Sequence, residues 1–212
     1  MFRPIRHGLL ILLSVTMSLL ATRTAQAMTL EESLLSVENR WAKAAFETVG
    51  PQQGRDLKSL LKDIRILHET HPNRPEAAAW HGIIARSYMD VKNSMRIAKE
   101  ARDALLAAES LDPLVLGGLV YANLGALYTD APAGFGGFGN KTKGIGYLWK
   151  AIVVDPEGID SNYLYARALL AEKDYGAARE ALTRAMDAPP RPGHPEADFT
   201  RKLEVENLLV NL

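Results

Sequence analysis

The chain contains no cysteine. That absence excludes disulfides, thiolate-bound metals, a cysteine nucleophile and a lipidated N-terminal cysteine. Nor is there an excess of charge of either sign: 25 Lys and Arg stand against 25 Asp and Glu in 212 residues. A neutral balance carries no electrostatic footprint for nucleic acid. Sustained alternation of apolar and polar residues is missing after residue 28, so no strand is expected. Beyond the first 21 residues no apolar run approaches the ~20 residues of a spanning helix. What the chain does have is a 47% share of hydrophobic residues, too many for a disordered chain and ordinary for a packed one. Without disulfides, its stability must come from apolar burial.

The first segment reads as an address. Arg3, Arg6 and His7 precede an apolar stretch from Leu9 to Ala21, and Ala25-Gln26-Ala27 supplies small residues in the A-x-A pattern. A basic head, a short apolar run and a small-residue exit form a secretory signal peptide. Cleavage is expected after Ala27, which removes three arginines and no acid and leaves a mildly acidic chain. The alternative is an uncleaved anchor. The expected location is the periplasm.

From residue 28 onward the apolar residues recur three and four apart, the period of helices. Thr29 with Glu32 spells a capping box. The helix it opens is expected to run to about Val49 and stop at Gly50-Pro51. A second spans about Gly54 to Glu69, stopped at His71-Pro72-Asn73. Pro75 sits in the first turn of a third, where its missing N–H costs nothing. Further helices are expected over about 94–111, 114–128 and 141–154, on either side of Lys173-Asp174, and from Pro195 to the end. Nine helices result.

Pro156 and Pro190 lie 34 residues apart, which is the tetratricopeptide period. Counting back from Pro190 puts Ala178, Leu182 and Ala185 on one helix and Tyr165, Ala166 and Leu169 on its partner. From Pro156 the same offsets fall on Gly144, Leu148 and Ala151. The partner helix carries Tyr121, Leu124, Gly125 and Tyr128, and the loop between the two is seven residues longer than the pattern. From Pro113 they fall on Ala101, Leu105 and Ala108, opposite Trp80 and Tyr88; from Pro72 they fall on Leu60, Ile64 and Leu67.

On these residues the chain resembles the tetratricopeptide-repeat family. The resemblance implies an all-α fold of helical hairpins in a right-handed superhelix. It divides the chain into residues 28–71 as a degenerate helix pair, 72–190 as repeats with a Gly-rich insertion at 131–140, and 191–212 as a capping helix. Three segments, Gly134-Phe135-Gly136 through Asn140-Lys141, Asp155 through Tyr163, and Ala188-Pro189-Pro190-Arg191-Pro192, are similar to a group of exported bacterial proteins of this kind. Among them is the periplasmic T-component of solute-binding-protein-dependent (TRAP) transporters. That likeness implies binding or assembly rather than catalysis. T-component proteins are often lipoproteins, from which a chain without cysteine departs.

Few residues stand out as chemistry. Gly134 to Gly139 spells G-x-G-x-x-G, but a dinucleotide site needs that motif after a strand. The loop's rings, Phe135 and Phe138, either tuck onto the helix pair or contact a partner, with Lys141 beside them. His68 and His71 lack a third metal ligand, and His81 and His194 form no constellation with them. On the inner face the repeat register places Leu119, Ala122, Asn123 and Ala126, then Tyr163 and Arg167. Asn123 matches the position at which peptide-binding members contact a ligand backbone. Leu119 replaces their accompanying lysine, which argues against a clamp for chain-terminal carboxylates. Arg167 is the candidate for anion contact. The sequence thus points to a non-enzymatic binding scaffold without cofactor or metal. Its partner is another exported protein or peptide, or alternatively a small solute of a transport system. Asn123, Tyr163, Arg167, Phe135, Phe138 and Lys141 are the candidate contacts.

Overall fold

The computed structural model describes residues 28–212; the signal peptide read at 1–27 lies outside them. Among the described residues the structure is all-α. Its helices are α1 (Leu30–Ala42), continued by a π-helical segment (Lys43–Glu47), α2 (Gly50–Thr70), α3 (Pro75–Lys92), α4 (Met95–Leu111), α5 (Leu119–Asp130), α6 (Lys141–Val154), α7 (Ile159–Ala171), α8 (Tyr175–Asp187) and α9 (Pro195–Val210). None of them is long and apolar enough to cross a membrane.

Local chemistry explains the boundaries. Thr29 Oγ1 accepts from the Glu32 N–H and Glu32 Oε2 accepts from the Thr29 N–H, which closes the capping box at α1. The helix was expected to run unbroken to Val49. Instead it widens after Ala42 into the π turn, which ends with the Thr48 N–H donating to Lys43 O. Gly50-Pro51, expected as a stop, opens the next helix: Gly50 takes φ +65° and Pro51 sits in the first turn of α2. At α5 the expected start at Leu114 is too early. Leu116 and Gly117 have φ 54° and 60°, so residues 113–118 make turns before the helix begins.

Three hairpins, α3–α4, α5–α6 and α7–α8, form the repeats. Each crossing is made by small residues. A Cβ on Gly125 would stand 2.5 Å from Leu148 Cγ and 2.9 Å from Gly144 O. One on Gly82 would stand 2.4 Å from Leu105 Cγ and 3.0 Å from Ala101 O. In the third hairpin Ala166 and Ala178 are fully buried. Each hairpin leaves an apolar edge that its neighbour covers. The interior accordingly divides into clusters spanning α1–α5, α5–α7 and α7–α9. Ala122 and Ala126, expected on the inner face, belong to the middle cluster with Leu164 and Ala168 of α7.

Two polar networks tie helices together. His81, expected to stand alone, pairs with His68: their Nδ1 atoms are 2.9 Å apart, and His81 Nε2 lies 2.9 Å from Glu100, which also takes both Arg65 nitrogens. Burial raises the Glu100 carboxyl, but the hydrogen bonds from Arg65 and His81 outweigh it and hold the group below its usual range. An ionised Glu100 makes His81 Nε2 a donor, and the Nδ1–Nδ1 contact requires one of the two histidines to donate and the other to accept. Burial, with His81 alongside, depresses the pKa of His68.

The second network joins α7 to α9. Asp160 accepts from Arg201 Nε at 2.7 Å and Arg191 Nη1 at 2.6 Å, and Arg191 Nε donates to Asp198 at 2.6 Å. Burial raises Asp160, and the two guanidiniums overcome it and depress its pKa.

The crossings and the histidine pair each predict a measurable effect. Gly125→Ala is expected to cost about 1–3 kcal/mol in urea unfolding, since backbone must move to admit the methyl. Gly146→Ala, on the same hairpin with open space around it, is expected to gain up to about 1 kcal/mol from helix propensity. Because His68 binds its proton less readily folded than unfolded, its contribution is complete above the ordinary histidine range. It is lost as pH falls through that range toward the depressed folded value. Unfolding midpoints taken between about pH 7.5 and 5 should fall with acid, and His68→Gln should flatten that slope.

Candidate functional site: a cleft where the two ends of the repeat meet

Among the described residues, α9 and the residue before it touch α1 and the π-helical segment. His194 Nε2 lies 3.1 Å from Glu38, Thr200 Oγ1 donates to Phe46 O at 3.2 Å, and the Arg201 guanidinium sits 5.0 Å from the Phe46 ring centroid. A simple solenoid contacts only sequential neighbours; here α9 comes round to the π-helical segment. The joint encloses a cleft of about 730 Å³ between α1, the π segment, α2 and α3 on one side and α7 and α9 on the other.

One wall is aromatic. Trp41 donates from Nε1 to Ser87 Oγ at 2.9 Å and packs against Trp80 and Phe46, with ring centroids 5.4 and 5.5 Å away. The wide π turn carries Phe46 to this position, since α1 does not continue as a regular helix. Tyr163 faces it from α7 under the Arg201 guanidinium, 4.2 Å from its ring centroid. Burial, with Glu204 nearby, raises the Tyr163 pKa, so the ring is neutral.

Charge comes from both sides, Arg86 on α3 and Arg167 on α7. Arg86 is buried, and its Nε has no partner. Its terminal nitrogens lie 3.5 Å from Asn123 Oδ1 and 3.8 Å from both Asp90 and Asp130. Arg167, half exposed, lies 4.0 Å from the same Asp130 oxygen. These separations exceed those of a charge-assisted hydrogen bond.

The structure does not bring the six candidate residues together. Tyr163 and Arg167 line the cleft. Asn123 lies beside it but is buried, with Nδ2 donating to Leu119 O at 2.8 Å and Oδ1 turned to Arg86. Its amide is occupied within the protein rather than presented to a ligand. Lys141 stands outside, paired with Glu172 at 2.6 Å over a small pocket that Arg167 also borders.

Phe135 and Phe138 are elsewhere, in the loop between α5 and α6. Gly139 N donates to Pro132 O and Asn140 N to Tyr128 O, which closes that loop. Cβ atoms on Gly137 and Gly139 would fall within about 2 Å of backbone oxygens, at 2.0 and 1.9 Å. The glycines permit close chain approach, and Asn140 Oδ1 caps α6 by accepting from the Lys143 N–H. The two rings behave differently. Phe138 packs edge-on against Tyr128 beneath Arg102, whereas Phe135 is fully exposed and does not tuck onto the helix pair.

Sequence reasoning missed Arg86, Arg201, Trp41 and Phe46. Two of these left a signal. Arg201 stands four residues from Ala197 and from Val205, both buried, so a charge interrupts an apolar stripe. Arg86 follows Ile83, Ile84 and Ala85 within a buried run. A charge at an apolar position is the pattern to look for.

No family model matches the chain, and no curated protein matches it significantly. Solved structures do. A thermophilic tetratricopeptide-repeat protein of Thermus thermophilus is similar with a TM-score of 0.56 at 12% identity, over 85% of this chain and 91% of that one. MamA is similar with a TM-score of 0.48 at 18% identity, over 76% of this chain and 95% of that one. The Thermus likeness is one of fold: the described residues are an all-α helical repeat of the tetratricopeptide kind.

Proposed function

We propose that this protein is a non-catalytic binding scaffold of the periplasm whose cleft receives a short segment of another exported protein. The cleft carries the reading. Trp, Tyr and Arg dominate the binding energy of protein interfaces, and Trp41, Tyr163, Arg86, Arg167 and Arg201 converge here. The space admits a few side chains rather than a folded domain. Helical repeats use such inner faces for extended ligands, and the fold likeness supports that use.

A second reading, accessory binding of a small solute for a transport system, is favoured by one observation. Arg201 and Glu204 of α9 complete the lining of the cleft, and its volume of about 730 Å³ lies within the ~300–1,000 Å³ of small-molecule sites.

A photo-crosslinking side chain at position 163, compared with one at exposed position 58 outside the cleft, separates these readings in living cells. Adducts from position 163 that map to one segment of one protein, and are absent from position 58, are expected. If position 163 captures nothing and native mass spectrometry shows a bound mass of a few hundred daltons, the solute reading replaces the first. If neither appears, the cleft is not a binding site. Export has its own test: the protein should fractionate with the periplasm with Met28 as its first residue, and retention of residues 1–27 in the membrane fraction would refute it.

A further inference from the structure

The cleft holds two guanidiniums that the fold leaves only loosely paired. Arg86 is buried with Nε unpartnered, and its closest carboxylates stand at 3.8 Å. An arginine at such depth ordinarily makes short bonds. Arg201, in the same cleft, does: it is bound to Asp160 and Glu204. Arg86 and Arg167 instead share a single oxygen of Asp130, at 3.8 and 4.0 Å. That oxygen marks a point that both guanidiniums face without either closing on it. Asp130 and Asp90 are themselves partly exposed, with side-chain exposures of 39% and 50%. Trp41, Phe46 and Tyr163 line the same cleft, the Tyr163 ring 6.0 Å from the Arg167 guanidinium and Trp41 bonded to Ser87 beside Arg86.

We propose that Arg86 and Arg167 form the seat of a carboxylate carried on an apolar body, with the aromatic wall receiving that body. The proposal rests on the cleft being a binding site. A planar carboxylate satisfies a guanidinium by two parallel hydrogen bonds, and one entering from the cleft would replace the long contacts to Asp130, which lines the neighbouring pocket. The same group occurs on a free organic acid and at a peptide C-terminus.

The test is an NMR titration of the purified protein, read at the Trp41 indole N–H. The probes are 4-phenylbutyrate and its neutral amide, and a pentapeptide ending in Phe with a free or an amidated C-terminus. At least one acid is expected to bind about tenfold more tightly than its amide, in keeping with a buried charge-assisted pair, and the arm that does so names the source. Arg86→Met should abolish that preference. It should leave the urea midpoint nearly unchanged, because Arg86 gives up only the long 3.5 Å contact to Asn123 and no close carboxylate. Asp130→Asn, at a partly exposed site, should tighten the acid several-fold and leave the amide unaffected, an effect that a structural role for Arg86 does not produce. Equal binding of acid and amide would keep the cleft as a site and overturn the carboxylate seat. Binding of neither would overturn both. A preference that survives Arg86→Met, or a loss of stability in that variant, would assign Arg86 to the fold.

Discussion

The position of α9 depends on one buried carboxylate. Asp160, at the start of α7, lies between Arg201 of α9 and Arg191 of the segment before it, at 2.7 and 2.6 Å. Apolar contacts between α8 and α9 are non-directional and would tolerate sliding; three charged groups at hydrogen-bond distance do not. Taking such charges out of water costs several kcal/mol per ion, so the network adds more definition than net stability. With its orientation fixed, Arg201 lies over Tyr163 and reaches the Phe46 ring, and Thr200 reaches the Phe46 carbonyl. The meeting of α9 with the π-helical segment, and the cleft they line, follow from that one anchored helix.

The cleft also depends on everything between its walls. Its two sides come from residues 41–92 and 163–204, and the repeats between them set the distance. Each hairpin adds a small rotation determined by how closely its helices cross. Gly82, Gly125 and Gly144 let backbones approach where any Cβ would collide. A change at a crossing far from the cleft therefore alters the angle at which α9 meets the π-helical segment. Packing and binding are linked through geometry, without a contact between them.

What the sequence made legible was the local part. Ala178, Leu182 and Ala185, counted from Pro190, are all fully buried, as are Leu148 and Ala151 counted from Pro156. The capping box at Thr29 and the start of α6 at Lys141 were equally readable, because they depend on neighbours within four residues. The cleft was not readable, since it joins residue 46 to residue 201 and no period links them. The same limit hid the His68–His81 pair, which sits on two helices. It also misplaced Ala122 and Ala126, because repeat register assigns a face without showing what the next hairpin covers. For Phe135 the sequence left burial and partner contact both open, because what a loop tip packs against is not set by neighbours in sequence; the ring is exposed.

Two clusters in this protein are built from the same groups and are in opposite states. Around Asp160 the arginines and carboxylates meet at 2.6–2.7 Å, and these short bonds hold α9. Arg191 Nη2 is left over there, but the same guanidinium already closes on two carboxylates. Around Asp130 the groups stand at 3.8–4.0 Å, beyond hydrogen-bond reach, although Arg86 is as buried as its counterparts. Burial exacts a desolvation cost in both places. In the first it is offset inside the fold. In the second the offset is incomplete: Arg86 has an unpaired donor and no close carboxylate, and it borders a cleft of mixed polarity. A charge that the protein's own carboxylates hold so loosely is a source of affinity for a better-placed one. That asymmetry between two arginine clusters, rather than the repeat fold itself, is what gives the cleft a chemical preference.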